Sequence, residues 1–239
     1  MKRLAALLYL LTLLPLPALA QGITVFAAAS LRGALDEIAG AYGTPLRLSY
    51  GGSGTMARQI ASGAPADVVV LAHPDWMEWL AERTPLRARS ASIAGNQLVL
   101  IGPAGASLLS PQDIAARLGT GKLVMGQRDA VPAGTYARQW LQSAGLWETL
   151  LPSIAETDNV RAALALVAQG AAPLGVVYAS DARAETQVKV VYEIPPTSHD
   201  PITYPAAAMT LEGLGFFAFL HTNAAAAILT RHGFIPVQW

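Results

Sequence analysis

Four stretches place small or hydroxyl residues where an apolar run gives way to a helical pattern. They are Ala27-Ala28-Ala29-Ser30, Gly51-Gly52-Ser53-Gly54-Thr55, Val131-Pro132-Ala133-Gly134 and Thr157-Asp158-Asn159-Val160. The start of a helix carries backbone N–H groups without intrahelical partners and the positive end of the peptide dipole, so it can hold an anion with no positive side chain. Ser30 suits an N-cap, and the glycines around Ser53 let several N–H groups point one way. Pro132 suits a first helical turn, and a cap at Asp158 or Asn159 leaves the Val160 N–H in the turn that follows. Each motif alone is ordinary capping chemistry. Together, four such ends could enclose one small oxyanion, and about five to seven charge-assisted hydrogen bonds at ~1.5–3 kcal/mol each reach micromolar affinity after the costs of association. Tyr178 closes an apolar strand, the place where α/β sheets hold ligands, and is a candidate phenol donor. Arg32, Arg58 and Arg161 stand near helix starts but read as solvated charges.

Other chemistries fail on their spacing. Gly51-Gly52-Ser53-Gly54-Thr55 approaches the G-x-S-x-G elbow, yet Thr55 takes the last glycine position and no His can be assigned as base, so a secreted serine hydrolase using Ser53 is a distant alternative. Gly52 to Ala57 fits the loose dinucleotide pattern G-x-G-x-x-A, with Asp75 downstream, a weak signal by itself. Gly119-Thr120-Gly121-Lys122 lacks both the earlier glycine and the following Ser or Thr of a P-loop. The His at 73, 199, 221 and 232 have no ligand spacing, and the absence of Cys removes thiol catalysis, disulfides and thiolate zinc sites. Neither a metal cation nor a cofactor is expected.

The elements that would position these residues alternate. Strand-like runs lie at Ile23–Ala28, Leu46–Tyr50, Val68–Ala72, Gln97–Ile101, Leu123–Met125, Leu174–Tyr178, Val188–Tyr192 and Pro205–Thr210. Helical patterns fill Leu31–Tyr42, Thr55–Ser62, Pro74–Glu82, Pro111–Arg117, Thr135–Ser143, Val160–Gln169 and one C-terminal piece, Gly213–His232. That alternation is the signature of an α/β fold. The breaker clusters Gly102–Gly105 and Ile194–Pro201 are candidate crossings between two lobes. The expected division is a leader over 1–20, a first lobe over 21–101, a second over 102–200 and a return segment, 201–239, completing the first.

Of the 239 residues, 53% are apolar and only 13% charged, with 16 basic and 16 acidic side chains. Such a chain folds around a large core, and without a basic stripe it offers nothing to a nucleic acid. Lys2 and Arg3, the apolar run Leu4–Leu14 and Ala18-Leu19-Ala20 read as an export leader cleaved after Ala20. Its loss leaves the remainder mildly acidic. With no Cys at the cleavage point to take a lipid, the expected location is the periplasm.

Five separated blocks carry a resemblance: Val25–Leu31, Gly52–Ile60, Gly63–Val68, Val131–Gly134 and Pro173–Tyr178. In their order and spacing the chain resembles the periplasmic molybdate-binding proteins of molybdate ABC importers, from about Ile23 through Tyr204-Pro205 to Arg231–Phe234. The resemblance implies a two-lobed periplasmic-binding-protein (type II) fold, two α/β domains joined by hinge strands and closing over a ligand in the cleft. It implies, as ligands to molybdate or tungstate, Ser30 and Ser53 through hydroxyl and backbone N–H, the backbone N–H groups of Ala133 and Val160, and the phenol of Tyr178. It implies a non-catalytic receptor, working as a monomer with the membrane permease subunits of the importer. The chain departs from the family's pattern at Gly51, Gly52 and Gly54, where serine is commoner, and at His73, where an acidic or polar residue is more usual. A donor-only neutral pocket suits a fully deprotonated tetrahedral dianion and disfavours protonated phosphate, whose O–H needs an acceptor. A receptor for another tetrahedral oxyanion such as sulfate is the nearest alternative, separable by cavity size.

Overall fold

The computed structural model describes residues 22–237, and the leader read over 1–20 lies outside them. The chain runs through β1 (Ile23–Ala28), a 3-10 turn at Ala29–Leu31, α1 (Arg32–Tyr42), β2 (Leu46–Gly51), α2 (Ser53–Ala61), β3 (Val68–Val70), α3 (Pro74–Ala81) and β4 (Ala91–Gly95). It continues through β5 (Leu98–Pro103), α4 (Ile114–Leu118), β6 (Leu123–Gly126), α5 (Pro132–Ser143), α6 (Trp147–Leu150), β7 (Ile154–Thr157), α7 (Val160–Ala168), β8 (Leu174–Tyr178), α8 (Ala179–Arg183) and β9 (Val188–Glu193). It ends with β10 (Thr203–Ala208), α9 (Leu214–Leu220), α10 (Asn223–Arg231) and β11 (Ile235–Pro236).

These strands form two sheets, in the orders β11-β4-β10-β3-β1-β2 and β7-β6-β8-β5-β9. Each contains a parallel trio: β1 pairs in parallel with β2 and β3, and β6 with β7 and β8. Antiparallel β10 extends the first trio and antiparallel β5 the second. Strands β3 and β8 are buried along their whole length. Helices cover both faces of a parallel sheet, which is why Val68–Val70 and Leu174–Tyr178 read as unbroken apolar runs. Helix α7 turns Val160, Ala163, Leu164 and Val167 inward, the i, i+3, i+4, i+7 stripe of a helix packed on a sheet.

The chain leaves the first sheet after Gly95 and enters the second at Leu98, so the earlier crossing runs through Asn96 and Gln97. Gly102–Gly105, read from sequence as a candidate crossing, instead ends β5 in a turn, where the Ala104 N–H donates to the Gln187 carbonyl and the Ala106 N–H to that of Pro103. Breakers end a strand as readily as they link lobes, and the buried Leu98–Ile101 run pairs with β8. The return passes through the Pro195–Pro201 cluster. Three strands escaped the sequence pattern: β4, β7 and β11. Ala91-Ser92-Ile93-Ala94-Gly95 has little strand propensity of its own and is held by β10 on one side and β11 on the other. The single C-terminal helix expected over Gly213–His232 is two, broken at His221–Thr222, where the Thr222 hydroxyl accepts from the Ala225 N–H and caps α10.

Candidate anion site

The C-terminal ends of the parallel strands converge on one cavity. Ala28–Ser30, Gly51–Ser53 and Ala72 line it from the first sheet; Val131–Ala133, Asn159, Val160 and Tyr178 line it from the second. Its volume, taken over positions open to the centre of a water-sized sphere, is about 10 Å³. That is far below the several hundred Å³ of an ordinary organic-ligand site and leaves room for one compact guest. Ser30, Ser53, Ala133, Val160 and Tyr178, which sequence reading scatters over some 150 residues, all line it.

Local structure explains what each presents. Ser53 is the first residue of α2, behind Gly52 at the N-cap, and its Oγ accepts from the Ala72 N–H at 2.9 Å. Its own proton is then free for the cavity. In α5, Pro132 takes the first position and the Gly134 and Thr135 N–H groups turn back to the Val131 carbonyl, at 2.8 and 3.1 Å. The Ala133 N–H lies in that first turn, ahead of the intrahelical ladder. Asn159, one of the two caps read from sequence, is the N-cap of α7; its Oδ1 accepts from the Ala162 N–H at 3.0 Å, leaving the Val160 N–H at the cavity wall. Ser30 departs from expectation. It is no cap: Ala28 holds that position, Ser30 sits inside the 3-10 turn, and its Oγ lies 3.1 Å from the Tyr204 hydroxyl. The turn already begins at Ala29, one residue before Ser30, and a residue 174 positions away supplies the partner of its hydroxyl.

The Tyr178 hydroxyl is buried and has no hydrogen-bond partner among the described residues. Burial holds its pKa well above the ordinary phenol value, with Tyr204 alongside adding to the rise, so it is a neutral donor. Tyr178→Phe should leave the unliganded melting temperature unchanged or slightly raised, because an unsatisfied buried hydroxyl costs about 1–3 kcal/mol, while anion affinity falls about 10-fold. Thermal melts and titration of the same preparation check both signs; a destabilised variant with full affinity contradicts them.

Among the described residues no Lys, Arg, His, Asp or Glu lines the cavity. The three arginines read as solvated are engaged elsewhere: Arg32 lies over the Tyr50 ring at 4.9 Å, Arg58 over Trp76 at 5.1 Å, and Arg161 Nε is 2.6 Å from Oδ1 of the buried Asp181. Burial raises the Asp181 pKa to about 6, and the Arg161 charge opposes the rise. His73 caps α3 by accepting from the Asp75 N–H at 3.2 Å and stacks on Tyr136 of the opposite half, ring centroids 4.9 Å apart. Burial lowers its pKa, against the opposing pull of the Asp75 and Asp200 carboxylates. The halves also meet where the Gly54 N–H donates to the Ala130 carbonyl at 3.2 Å.

A family model described as bacterial extracellular solute-binding protein matches residues 23–235. The chain belongs to that family. Its relatives include the molybdate-binding protein ModA of Escherichia coli (strain K12), 40% identical over 228 residues, covering 89% of this chain and 88% of the relative. The ModA of Haemophilus influenzae is 37% identical over 227 residues, covering 89% of each. Among solved structures, the periplasmic molybdate-binding protein of Azotobacter vinelandii superposes with a TM-score of 0.79 at 24% identity, over 90% of this chain and all of that one, a likeness of fold. Solute-binding proteins of this family are receptors and not enzymes.

Sequence reading missed the residues behind the wall. Asn96 and Tyr204 hold Ser30 from outside the cavity, and nothing in the local pattern around either points there. The glycines around Ser53, read from sequence as letting N–H groups point one way, also make room for the opposite half. Gly52 is an N-cap in extended backbone and Gly54 lies in the first turn of α2, both buried, and a Cβ on Gly52 would stand 2.5 Å from the Asp158 carbonyl oxygen of the other half.

Proposed function

We propose that this solute-binding protein captures molybdate in the periplasm and delivers it to the membrane permease subunits of an ABC importer. Ser30 and Ser53 donate through hydroxyl and backbone N–H, Ala133 and Val160 through backbone N–H, and Tyr178 through its phenol. One observation carries this reading: a cavity for a single compact guest whose polar groups are helix-start N–H groups and hydroxyls, with no ionisable side chain but one neutral phenol. The relatives named for molybdate binding supply the ligand's identity. Tungstate, of the same charge and shape, is taken by the same donors. Sulfate is smaller, and in a cavity fitted to molybdate its hydrogen bonds are long and weak. The leader, cleaved after Ala20, provides export, and among the described residues no helix is long and apolar enough to cross a membrane. The receptor acts as a monomer that presents both halves to the permease.

Titration with molybdate, followed by the fluorescence of the five Trp, tests the reading. Saturation below about 10 µM is expected from such a donor set, and absence of saturable binding overturns it. Displacement by equimolar sulfate would make the chain a general oxyanion receptor instead. Ser30→Ala and Ser53→Ala should each weaken molybdate binding by ~1–3 kcal/mol, the cost of leaving a charged acceptor short of one donor, and each should also lower the unliganded melting temperature, because the Tyr204 hydroxyl or the Ala72 N–H loses its buried acceptor.

A further inference from the structure

We infer that Tyr204, oriented by Asn96, fixes the Ser30 hydroxyl as a donor toward the cavity and thereby sets the preference for anions that carry no proton. The inference rests on the anion reading above and concerns residues outside the cavity wall. Asn96 lies in the earlier crossing between the sheets. Its Oδ1 accepts from the Gln97 N–H at 2.9 Å, which decides the orientation of the amide: the other end is Nδ2, a donor only. Nδ2 donates to the Ser180 Oγ at 2.8 Å and to the Tyr204 Oη at 3.1 Å. Tyr204 therefore accepts from Asn96, and its single proton is left for the Ser30 Oγ, 3.1 Å away. Ser30 in turn accepts from Tyr204, and its own proton turns to the cavity that it lines.

Every member of this relay is buried, so water does not scramble the directions. Tyr204 stays protonated because burial raises its pKa, and its ring is held edge-on by Phe234 at 5.3 Å. Ser53 is set the same way by a different donor, the Ala72 N–H. Each serine receives one hydrogen bond from the protein and has one to give. An unprotonated oxyanion accepts both. A protonated one presents an O–H where each hydroxyl, already accepting once, presents its own proton, so the two donors oppose each other unless that O–H meets the single lone pair left. Asn96 and Tyr204 are thus positioning residues acting through Ser30.

The test is a thermodynamic cycle on wild type, Ser30→Ala, Tyr204→Phe and the double variant, each titrated with molybdate and with inorganic phosphate at a pH where phosphate keeps a proton. Tyr204→Phe preserves the ring and should lower molybdate affinity about 10-fold, while narrowing the preference for molybdate over hydrogen phosphate. In the Ser30→Ala background the same change should alter affinity by less than about 2-fold. An equal penalty in both backgrounds, or an unchanged preference, overturns the inference. If Tyr204→Phe does not fold, judged by its unliganded melt, Asn96→Ala replaces it in the cycle: the phenol stays and the donor into it is removed. A wild-type chain that binds neither anion overturns the anion reading and this inference together; normal wild-type binding with an additive cycle overturns this inference alone.

Discussion

Val160→Pro should cost the protein at least about 3 kcal/mol of molybdate binding, more than about 100-fold in affinity, while the unliganded fold survives. Val160 is the first residue of α7, the position where proline is best tolerated in a helix, because the N–H it lacks has no intrahelical partner there. Asn159 before it is extended, with φ −160° and ψ 164°, the kind of backbone a residue preceding proline takes. The Asn159 cap donates nothing to this change, since its Oδ1 accepts from Ala162 and not from Val160. What the substitution removes is a backbone donor at the cavity wall, and what it adds there is a ring carbon. Calorimetric titration beside a thermal melt separates the two effects. Unchanged affinity would mean that the Val160 N–H does not touch the guest, and the helix-start account of this half of the site would be wrong.

The second large effect is expected at Gly52. Its φ of −63° and ψ of 139° are open to any residue, so alanine meets no backbone strain. The obstacle lies across the cleft: a Cβ would stand 2.5 Å from the Asp158 carbonyl oxygen and 3.3 Å from the Val131 Cγ2, all of it in the half built on the second sheet. A backbone carbonyl at the start of a helix cannot move aside as a flexible side chain could. Gly52→Ala should leave each half folded and penalise their approach by about 3 kcal/mol, the upper range for overpacking, so that affinity falls about 100-fold. Small-angle scattering with saturating molybdate gives an independent reading: the wild type should compact and the variant should not. Compaction with wild-type affinity would show that the halves tolerate a methyl group between Gly52 and Asp158, and closure at this point would have to be redrawn.

How much of the site could be read beforehand differs from residue to residue for a physical reason. Strands β1 and β8 match the apolar runs Ile23–Ala28 and Leu174–Tyr178 residue for residue, since a buried parallel strand is marked by its own composition. The start of α7 was legible at Val160 itself, while α5, read from Thr135, begins three residues earlier at the Pro132 that marks an opening turn, because proline at the first turn and asparagine at the cap act within three or four residues of themselves. Ser30 misled, as a serine before an apolar run looks the same whether it caps a helix or faces a tyrosine from another strand. Strands β4 and β11 were invisible for the complementary reason: their partners lie far along the chain, and small residues such as Ala91 and Ala94 take whatever conformation a neighbouring strand imposes.

The amino-acid sequence by itself determined the α/β class, the small and hydroxyl residues at the helix starts and, having no Cys, the lack of thiol chemistry, because these depend on residue type and on neighbours a few positions away. Tertiary structure decided that the helix starts at Ser53, Pro132 and Val160, the short turn at Ser30 and the phenol of Tyr178 line one small cavity, that no charged side chain among the described residues lines it, and that Tyr204, bonded by Asn96, reaches a serine hydroxyl within it. Those facts depend on which strand ends lie side by side and how closely two halves meet, quantities set by pairings across 100 residues and more, to which no local pattern is sensitive.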